Sequence, residues 1–66
     1  MLKSTAIQML SALEALRVAE NAKCGGQSPD DYDYRVICAD IAKEAGFGSR
    51  AEWMAILNGD AKLVDC

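Results

Sequence analysis

The chain has 66 residues and a formal net charge of −3, from 10 acidic and 7 basic side chains. So short a chain forms one domain at most, and its acidity disfavours binding to nucleic-acid phosphates or anionic membranes. Histidine, the usual proton carrier near neutral pH, is absent from the sequence, which argues against an enzyme. We therefore expect a non-enzymatic protein whose partner presents a basic or neutral protein surface.

The N-terminal residues and the cysteines indicate the cellular compartment in which the chain is expected to fold. One lysine, Lys3, is followed by an amphipathic rather than a continuous apolar run, which fits neither a signal peptide nor a transmembrane helix. The sequence contains three widely spaced cysteines, Cys24, Cys38 and Cys66, and no Cys-x-x-Cys pair. Neither a disulfide framework nor a zinc site within one chain is therefore expected. Free thiols favour a reducing compartment, and the sequence predicts a cytoplasmic protein without metal or cofactor.

The first predicted helix runs from about residue 4 to residue 23 and ends at Cys24-Gly25-Gly26. Apolar residues recur along it at alternating steps of four and three, the spacing of two helices packed side by side. A chain of this size gains little net stability from its own core, which favours self-association. The stripe therefore suits both the centre of a three-helix domain and a homodimer. The predicted dimer seam is Leu2, Ala6, Met9, Leu13 and Leu16.

A second helix is predicted over about residues 29–45, after the start signal Ser28-Pro29-Asp30-Asp31. This pattern predicts a serine cap, proline at the first helical position and Asp31 reaching back as the acid of a capping box. Gly46 is expected to end the helix in the left-handed conformation. The buried stripe of this helix is predicted to be Tyr34, Ile37, Cys38, Ile41 and Ala45.

The start of the second helix also carries an acidic and aromatic cluster, in which Asp30, Asp31 and Asp33 are interspersed with Tyr32 and Tyr34. The helix dipole favours aspartates at this position, so a solvated first helical turn is one interpretation. The other is a binding surface for an arginine-rich protein partner. Because the dipole already accounts for the carboxylates, a catalytic or metal-binding role is disfavoured.

A tight turn, Gly46-Phe47-Gly48, leads into a third predicted helix over about residues 50–58. Ser49-Arg50-Ala51-Glu52 forms a second capping-box signal. Trp53 is expected in the core; if it were exposed it would be an interface anchor, because large aromatic residues dominate binding hot spots. The tail, residues 60–66, is compatible with an extra helical turn or a short strand. The apolar face of the third helix is predicted to be Trp53, Met54, Ile56 and Leu57.

The segment from Ile41 to Leu57 resembles the helix-turn-helix of arabinose-regulator-type transcription factors. The shared features are an Ile-Ala pair, a Gly-Phe turn four residues further on, a small cap, and apolar residues at matching offsets. The resemblance implies a recognition helix over residues 49–58 that lies in the DNA major groove. Arg50 is the one cation on that helix, and Glu52 would face phosphates, so DNA binding is the alternative hypothesis.

The sequence therefore predicts an all-α, three-helix domain that forms a homodimer and acts by occupying a protein partner. Size and charge suggest, by analogy, an inhibitor of the phage or mobile-element type, such as an anti-defence protein or an anti-activator. The alternatives are a helix-turn-helix transcriptional regulator and an antitoxin-like or structural subunit that folds with a larger partner. Candidate partner-binding residues are Asp30, Asp31, Tyr32, Asp33, Arg50, Glu52 and Trp53.

Overall fold

The structure is a computed structural model that describes residues 1–64. These residues form three helices, α1 (Lys3–Lys23), α2 (Asp31–Glu44) and α3 (Arg50–Leu57). The predicted all-α, three-helix fold is confirmed, and the observed helix bounds differ from the expected ones by at most two residues. Within residues 1–64, none of the helices combines the length and the apolar character needed to cross a membrane.

All three helices end in the same hydrogen-bond pattern around a glycine. Gly25, Gly46 and Gly59 have φ angles of 72°, 89° and 82°, and the amide after each glycine donates to a carbonyl five residues earlier. After α2, for example, the Phe47 amide donates to the carbonyl oxygen of Ala42 at 2.9 Å. This is a Schellman motif, and the left-handed backbone at Gly46 strains any residue with a β-carbon. The predicted glycine end of α2 is confirmed.

α1 and α2 form an antiparallel hairpin. At one end, Lys3 near the start of α1 lies over the ring of Phe47, with its Nζ 5.3 Å from the ring centre. At the other end, Arg17 near the end of α1 pairs with Asp31, the first residue of α2. Apolar residues from all three helices and the turn before α3 form the core: Ala6, Leu10, Cys38, Ala42, Ala45, Phe47 and Trp53.

Half-buried side chains surround this core and extend it into the tail. Residues 60–64 form neither a helix nor a strand, but Leu63 packs against the core. The two structures considered for the tail are therefore both wrong for this part, and residues 65–66 lie outside the described range. The other half-buried apolar residues are Ile7, Leu13, Ile41, Met54, Ile56 and Leu57.

The predicted buried stripe of α2 is partly wrong. Ile37 is exposed, although its apolar side chain placed it on the predicted stripe. Compared with the predicted stripe, the buried side of α2 is rotated about the helix axis. It includes an aspartate, Asp31, which a pattern based on apolar residues assigns to solvent. Residues that follow one another at steps of seven, four and three positions share one side of a helix. The observed buried line of α2 is Asp31, Cys38, Ala42 and Ala45.

The start of α2 also differs from the predicted capping box. The helix begins at Asp31 rather than Pro29, and its N-cap residue, Asp30, makes no side-chain cap hydrogen bond. The hydroxyl of Ser28 is buried and finds no hydrogen-bond partner within residues 1–64. Asp31 turns towards α1 instead of reaching back to Ser28.

The start of α3 forms half of its predicted capping box. The Glu52 amide donates to Ser49 Oγ at 3.3 Å, as expected for a serine cap. The Glu52 carboxylate accepts a hydrogen bond from the Gly48 amide at 2.8 Å, one residue before the predicted donor. Both hydrogen bonds satisfy amides that the first turn of a helix leaves without partners.

Candidate partner-binding surfaces

Asp31 is the centre of a buried polar cluster that joins α1, α2 and the loop between them. Its carboxylate accepts hydrogen bonds from Arg17 (2.8 Å), Asn21 (2.9 Å), Gln27 (3.1 Å) and Arg35 (2.8 Å). Only 1% of Asp31 is exposed. The side-chain hydrogen bonds, first from Asn21 and then from the two arginines, hold the pKa of Asp31 well below its usual range. Asp31 is thus an ionised link between two helices.

Glu14 forms a second cluster, which joins α1 to α3. Its carboxylate accepts two hydrogen bonds from Arg17, both at 2.9 Å, and one from Arg50 at 2.7 Å. The hydrogen bonds from Arg17 are the main reason that the pKa of Glu14 falls to about 2; burial opposes the shift and Arg50 adds to it. Because Arg17 pairs with both Glu14 and Asp31, one chain of charges connects all three helices.

These clusters use every arginine of the chain. Arg17, Arg35 and Arg50 all pair with Asp31 or Glu14, and the Arg50 guanidinium also lies 4.9 Å from the centre of the Trp53 ring. Arg50, the cation on the helix that the resemblance implies as a recognition helix, is therefore already neutralised by an ion pair within the domain. Phosphate binding requires several cations that are free to contact the backbone of DNA. Among residues 1–64, the basic side chains without an ion pair or ring contact are Lys23, Lys43 and Lys62.

The predicted partner-binding residues are divided between the surface and the core. Asp31 and Trp53 are each only 1% exposed, so neither side chain is accessible on the surface of the folded chain. Hydrogen-bond donors on α1 draw Asp31 inward, contrary to its prediction as a partner-binding residue. Trp53 fills the core, as expected, and so does not act as an interface anchor. Arg50 is half-buried. The predicted residues that the structure leaves exposed are Asp30, Tyr32, Asp33 and Glu52.

α2 carries an acidic edge, which we define as Asp30, Asp33, Asp40 and Glu44. All four are exposed, and no ion pair within residues 1–64 involves them. Their spacing places them along one side of α2. Of these four, only Asp30 and Asp33 were among the predicted partner-binding residues, although the spacing of Asp40 and Glu44 along the helix indicates the same charged face.

A hollow lies at the N-terminal end of the acidic edge. Asp30, Asp33, Tyr34 and Ile37 line it, and its volume is about 260 Å³. The hollow combines two carboxylates with an apolar and an aromatic side chain. A lysine or arginine side chain is complementary to this lining, because it has an apolar stem and a positively charged end group. The apolar pattern of α2 assigned Ile37 to the core, so its place in this hollow was not predicted.

α1 carries an exposed apolar stripe, which we define as Leu2, Met9 and Leu16. Their exposed fractions are 62%, 41% and 52%, and their spacing of seven residues places them on one side of the helix. The two other residues of the predicted dimer seam do not belong to this stripe. Ala6 is fully buried and Leu13 is half-buried against the core, because the antiparallel packing of α1 on α2 occupies that side of α1.

The cysteines offer no cluster for a metal or a disulfide within the described range. Cys38 is buried in the core, where burial raises the pKa of its thiol, and Cys24 is exposed. Cys66 lies outside the described residues. Across residues 1–64, no three side chains of the metal-binding types come close enough together to hold an ion.

Comparisons with protein-family models, curated proteins and solved structures found no match to this chain.

Proposed function

We propose that this chain is a non-enzymatic, protein-binding regulator that acts by occupying a basic surface of a partner protein. The observation that carries the proposal is a contrast in how the charges are used. The three arginines are paired inside the domain, whereas the carboxylates of the acidic edge have no ion-pair partner within residues 1–64. The domain thus presents unpaired negative charge along α2, which attracts and orients a basic protein surface.

The hollow at the end of the acidic edge supports a protein partner with arginine or lysine side chains. The stem of such a side chain packs on Tyr34 and Ile37, and its charged group lies between Asp30 and Asp33. Exposed Tyr32 lies beside these residues in sequence and supplies the aromatic contact that protein interfaces favour. By analogy of size and charge, the proposal takes the form of an inhibitor of the phage or mobile-element type, such as an anti-defence protein or an anti-activator.

Affinity capture from the native host, followed by quantitative mass spectrometry, tests this function. The test variant is Asp33→Asn, and the matched control is Asp60→Asn, which removes the same charge at an exposed position away from the hollow. We expect one host protein to be enriched by the wild type and the control and lost with the test variant. Retention of that protein by the test variant would contradict the proposed surface, provided that circular dichroism shows both variants folded.

DNA binding remains the second candidate, because of the resemblance to a helix-turn-helix. The observation that favours it is a groove between α2 and α3 whose lining includes Arg35, Lys43 and Arg50. Electrophoretic mobility shifts at physiological salt test it, with Lys43→Ala as the variant, since Lys43 takes no part in the ion pairs of residues 1–64. We expect no sequence-selective shift. A nanomolar, sequence-selective complex that Lys43→Ala weakens would replace the protein-binding proposal.

A further inference from the structure

The apolar stripe of α1 points away from the rest of the described chain. α3 packs on the other side of α1, where Val18 lies in the groove that also contains Met54 and Leu57. At 3.6 residues per turn, Leu16 and Val18 are separated by about 200° around the helix. α2 covers the side of α1 that contains Ala6 and Leu10. The stripe therefore has no cover within residues 1–64, although three large apolar side chains are exposed along it.

The pattern of side chains on this side of α1 is self-complementary in an antiparallel arrangement. If Met9 of one chain lies opposite Leu16 of a second copy, the twofold axis passes between positions 12 and 13, and the reciprocal contact forms as well. Two of the exposed residues next to the stripe, Thr5 and Ala12, are small. Small side chains allow two helices to approach closely.

The charges at the ends of α1 suit the same arrangement. The first turn of α1 contains no acidic residue, and its N-cap, Leu2, makes no side-chain cap hydrogen bond. In the antiparallel register, Glu20 of the second copy comes beside Thr5, near the N-terminal end of the helix dipole, where negative charge is stabilising. Lys23 of the second copy comes beside Leu2, over which its apolar stem can lie, although its ammonium gains nothing from the dipole at this helix end. Glu20 alone supplies negative charge to a helix end whose first turn has none.

We propose that two copies of this chain pair through their α1 stripes in antiparallel orientation. This homodimer goes beyond the proposed function, because it requires no other partner and leaves the acidic edge of each copy exposed. α1 is about 31 Å long at 1.5 Å per residue, and a single helix-to-helix contact of this length buries less than a standard interface of about 1,600 Å². The dimer is therefore weak, with a dissociation constant in the micromolar range.

Sedimentation equilibrium and light scattering on the purified full chain, with no partner added, test the dimer from about 1 µM to about 500 µM. We expect the mass to rise from the 7.1 kDa of one chain to twice that value. Leu16→Lys places a charge in the seam and raises the dissociation constant at least about tenfold, which corresponds to about 1.4 kcal/mol. The matched control is Val18→Lys, an equally exposed valine on the same helix, which leaves the dissociation constant unchanged.

A charge-pair experiment tests the register. Met9→Glu and Leu16→Lys each weaken association alone, but an equimolar mixture associates again, because the antiparallel pair brings the new carboxylate against the new ammonium. A mixture that stays monomeric overturns the antiparallel register.

The dimer itself is overturned by a wild type that stays monomeric at the highest concentration, or by a control that dissociates as readily as Leu16→Lys. Circular dichroism of each variant checks that it remains folded; if Leu16→Lys does not fold, Met9→Lys takes its place. Because these measurements use the purified chain alone, their outcome is independent of whether the host partner is found.

Discussion

Two short segments of this chain carry the same helix-start signature and fold differently. Ser28-Pro29-Asp30-Asp31 and Ser49-Arg50-Ala51-Glu52 each place an acid three residues after a serine. At α3, the serine caps the helix and Glu52 stays on the surface, bound to a backbone amide. At α2, Asp31 is buried among four side-chain donors, and the Ser28 hydroxyl has no hydrogen-bond partner within residues 1–64.

The difference shows that the donors near an acid decide between a cap and a buried cluster. A capping box offers the acid one neutral backbone amide. Asp31 instead meets two guanidinium groups and two side-chain amides, and charge-assisted hydrogen bonds are about twice as strong as neutral ones. Four such bonds also offset the cost of removing the carboxylate from water. Glu52 has no comparable set of donors, so it remains where solvent and one amide satisfy it.

The largest effect is expected for Asp31→Asn. The substitution keeps the shape of the side chain but removes the charge that Arg17 and Arg35 share. Arg17 keeps its pair with Glu14, and the Arg35 side chain is half exposed, so the loss arises at the buried site itself. Asparagine turns an NH2 group towards hydrogen-bond donors and leaves part of the cluster unpaired, so Tm at neutral pH should fall by about 10 °C or more. Thermal unfolding followed by circular dichroism measures this, and Glu52→Gln, the corresponding change at α3, serves as the control. The control should lose a few degrees at most; equal losses for the two variants would contradict the distinction between the segments.

The same cluster predicts how stability depends on acid. Folding lowers the pKa of Asp31 well below its ordinary value of 3.8, and it lowers the pKa of Glu14 from 4.5 to about 2. The unfolded chain therefore binds more protons in this range, so the stabilisation is complete above about pH 4.5 and is lost as the pH falls towards about 2. Urea unfolding across this range should show a constant midpoint near neutral pH and a steep decline below about pH 4.5.

The variants separate the contributions to this decline. Asp31→Asn should flatten it, because one of the two carboxyl groups whose pKa is lowered on folding is gone. A wild-type slope in Asp31→Asn would mean that the acid sensitivity comes from other groups.

Local signals were enough to predict the three helices and the core-facing side of α3, formed by Trp53, Met54, Ile56 and Leu57, but not the full core-facing sides of α1 and α2. The ends of α1, α2 and α3 follow from glycines whose backbone conformation is a local property. The burial of Asp31 depends on Arg17 and Asn21, which lie 14 and 10 residues away in sequence. A pattern of apolar residues contains no information about these donors, so it assigned the aspartate to the surface.

The same limit explains the outcome for the candidate surfaces. Asp30, Tyr32 and Asp33 were correctly expected to be exposed, since nothing in the fold competes with solvent for them. Ile37 completes the hollow beside them, but the rotation of α2 that exposes it follows from the burial of Asp31. One misassigned acid therefore changed the prediction for both the core and the surface of this helix.

A smaller effect is expected for the serine that does cap its helix. Ser49→Ala removes the acceptor of the Glu52 amide, and loss of such a cap costs about 1 kcal/mol of the free energy of unfolding. Urea unfolding at neutral pH measures this, and Ser49→Asp is the control, because aspartate is an equally good N-cap. A Ser49→Ala variant as stable as the wild type would show that the 3.3 Å hydrogen bond contributes nothing to stability. Ser49 would then not differ from Ser28 as a helix cap.

The smallest effect is expected for the serine that does not cap. The Ser28 hydroxyl has no hydrogen bond to lose within residues 1–64, so Ser28→Ala should change the free energy of unfolding by less than about 0.5 kcal/mol, or stabilise the chain slightly. The backbone of Ser28 keeps its own links, since its amide donates to Asn21 at 2.8 Å and its carbonyl accepts from the Asp31 amide at 3.2 Å. If urea unfolding showed Ser28→Ala and Ser49→Ala to be equally costly, both serines would be caps, and the burial of Asp31 would not have replaced the capping box at α2.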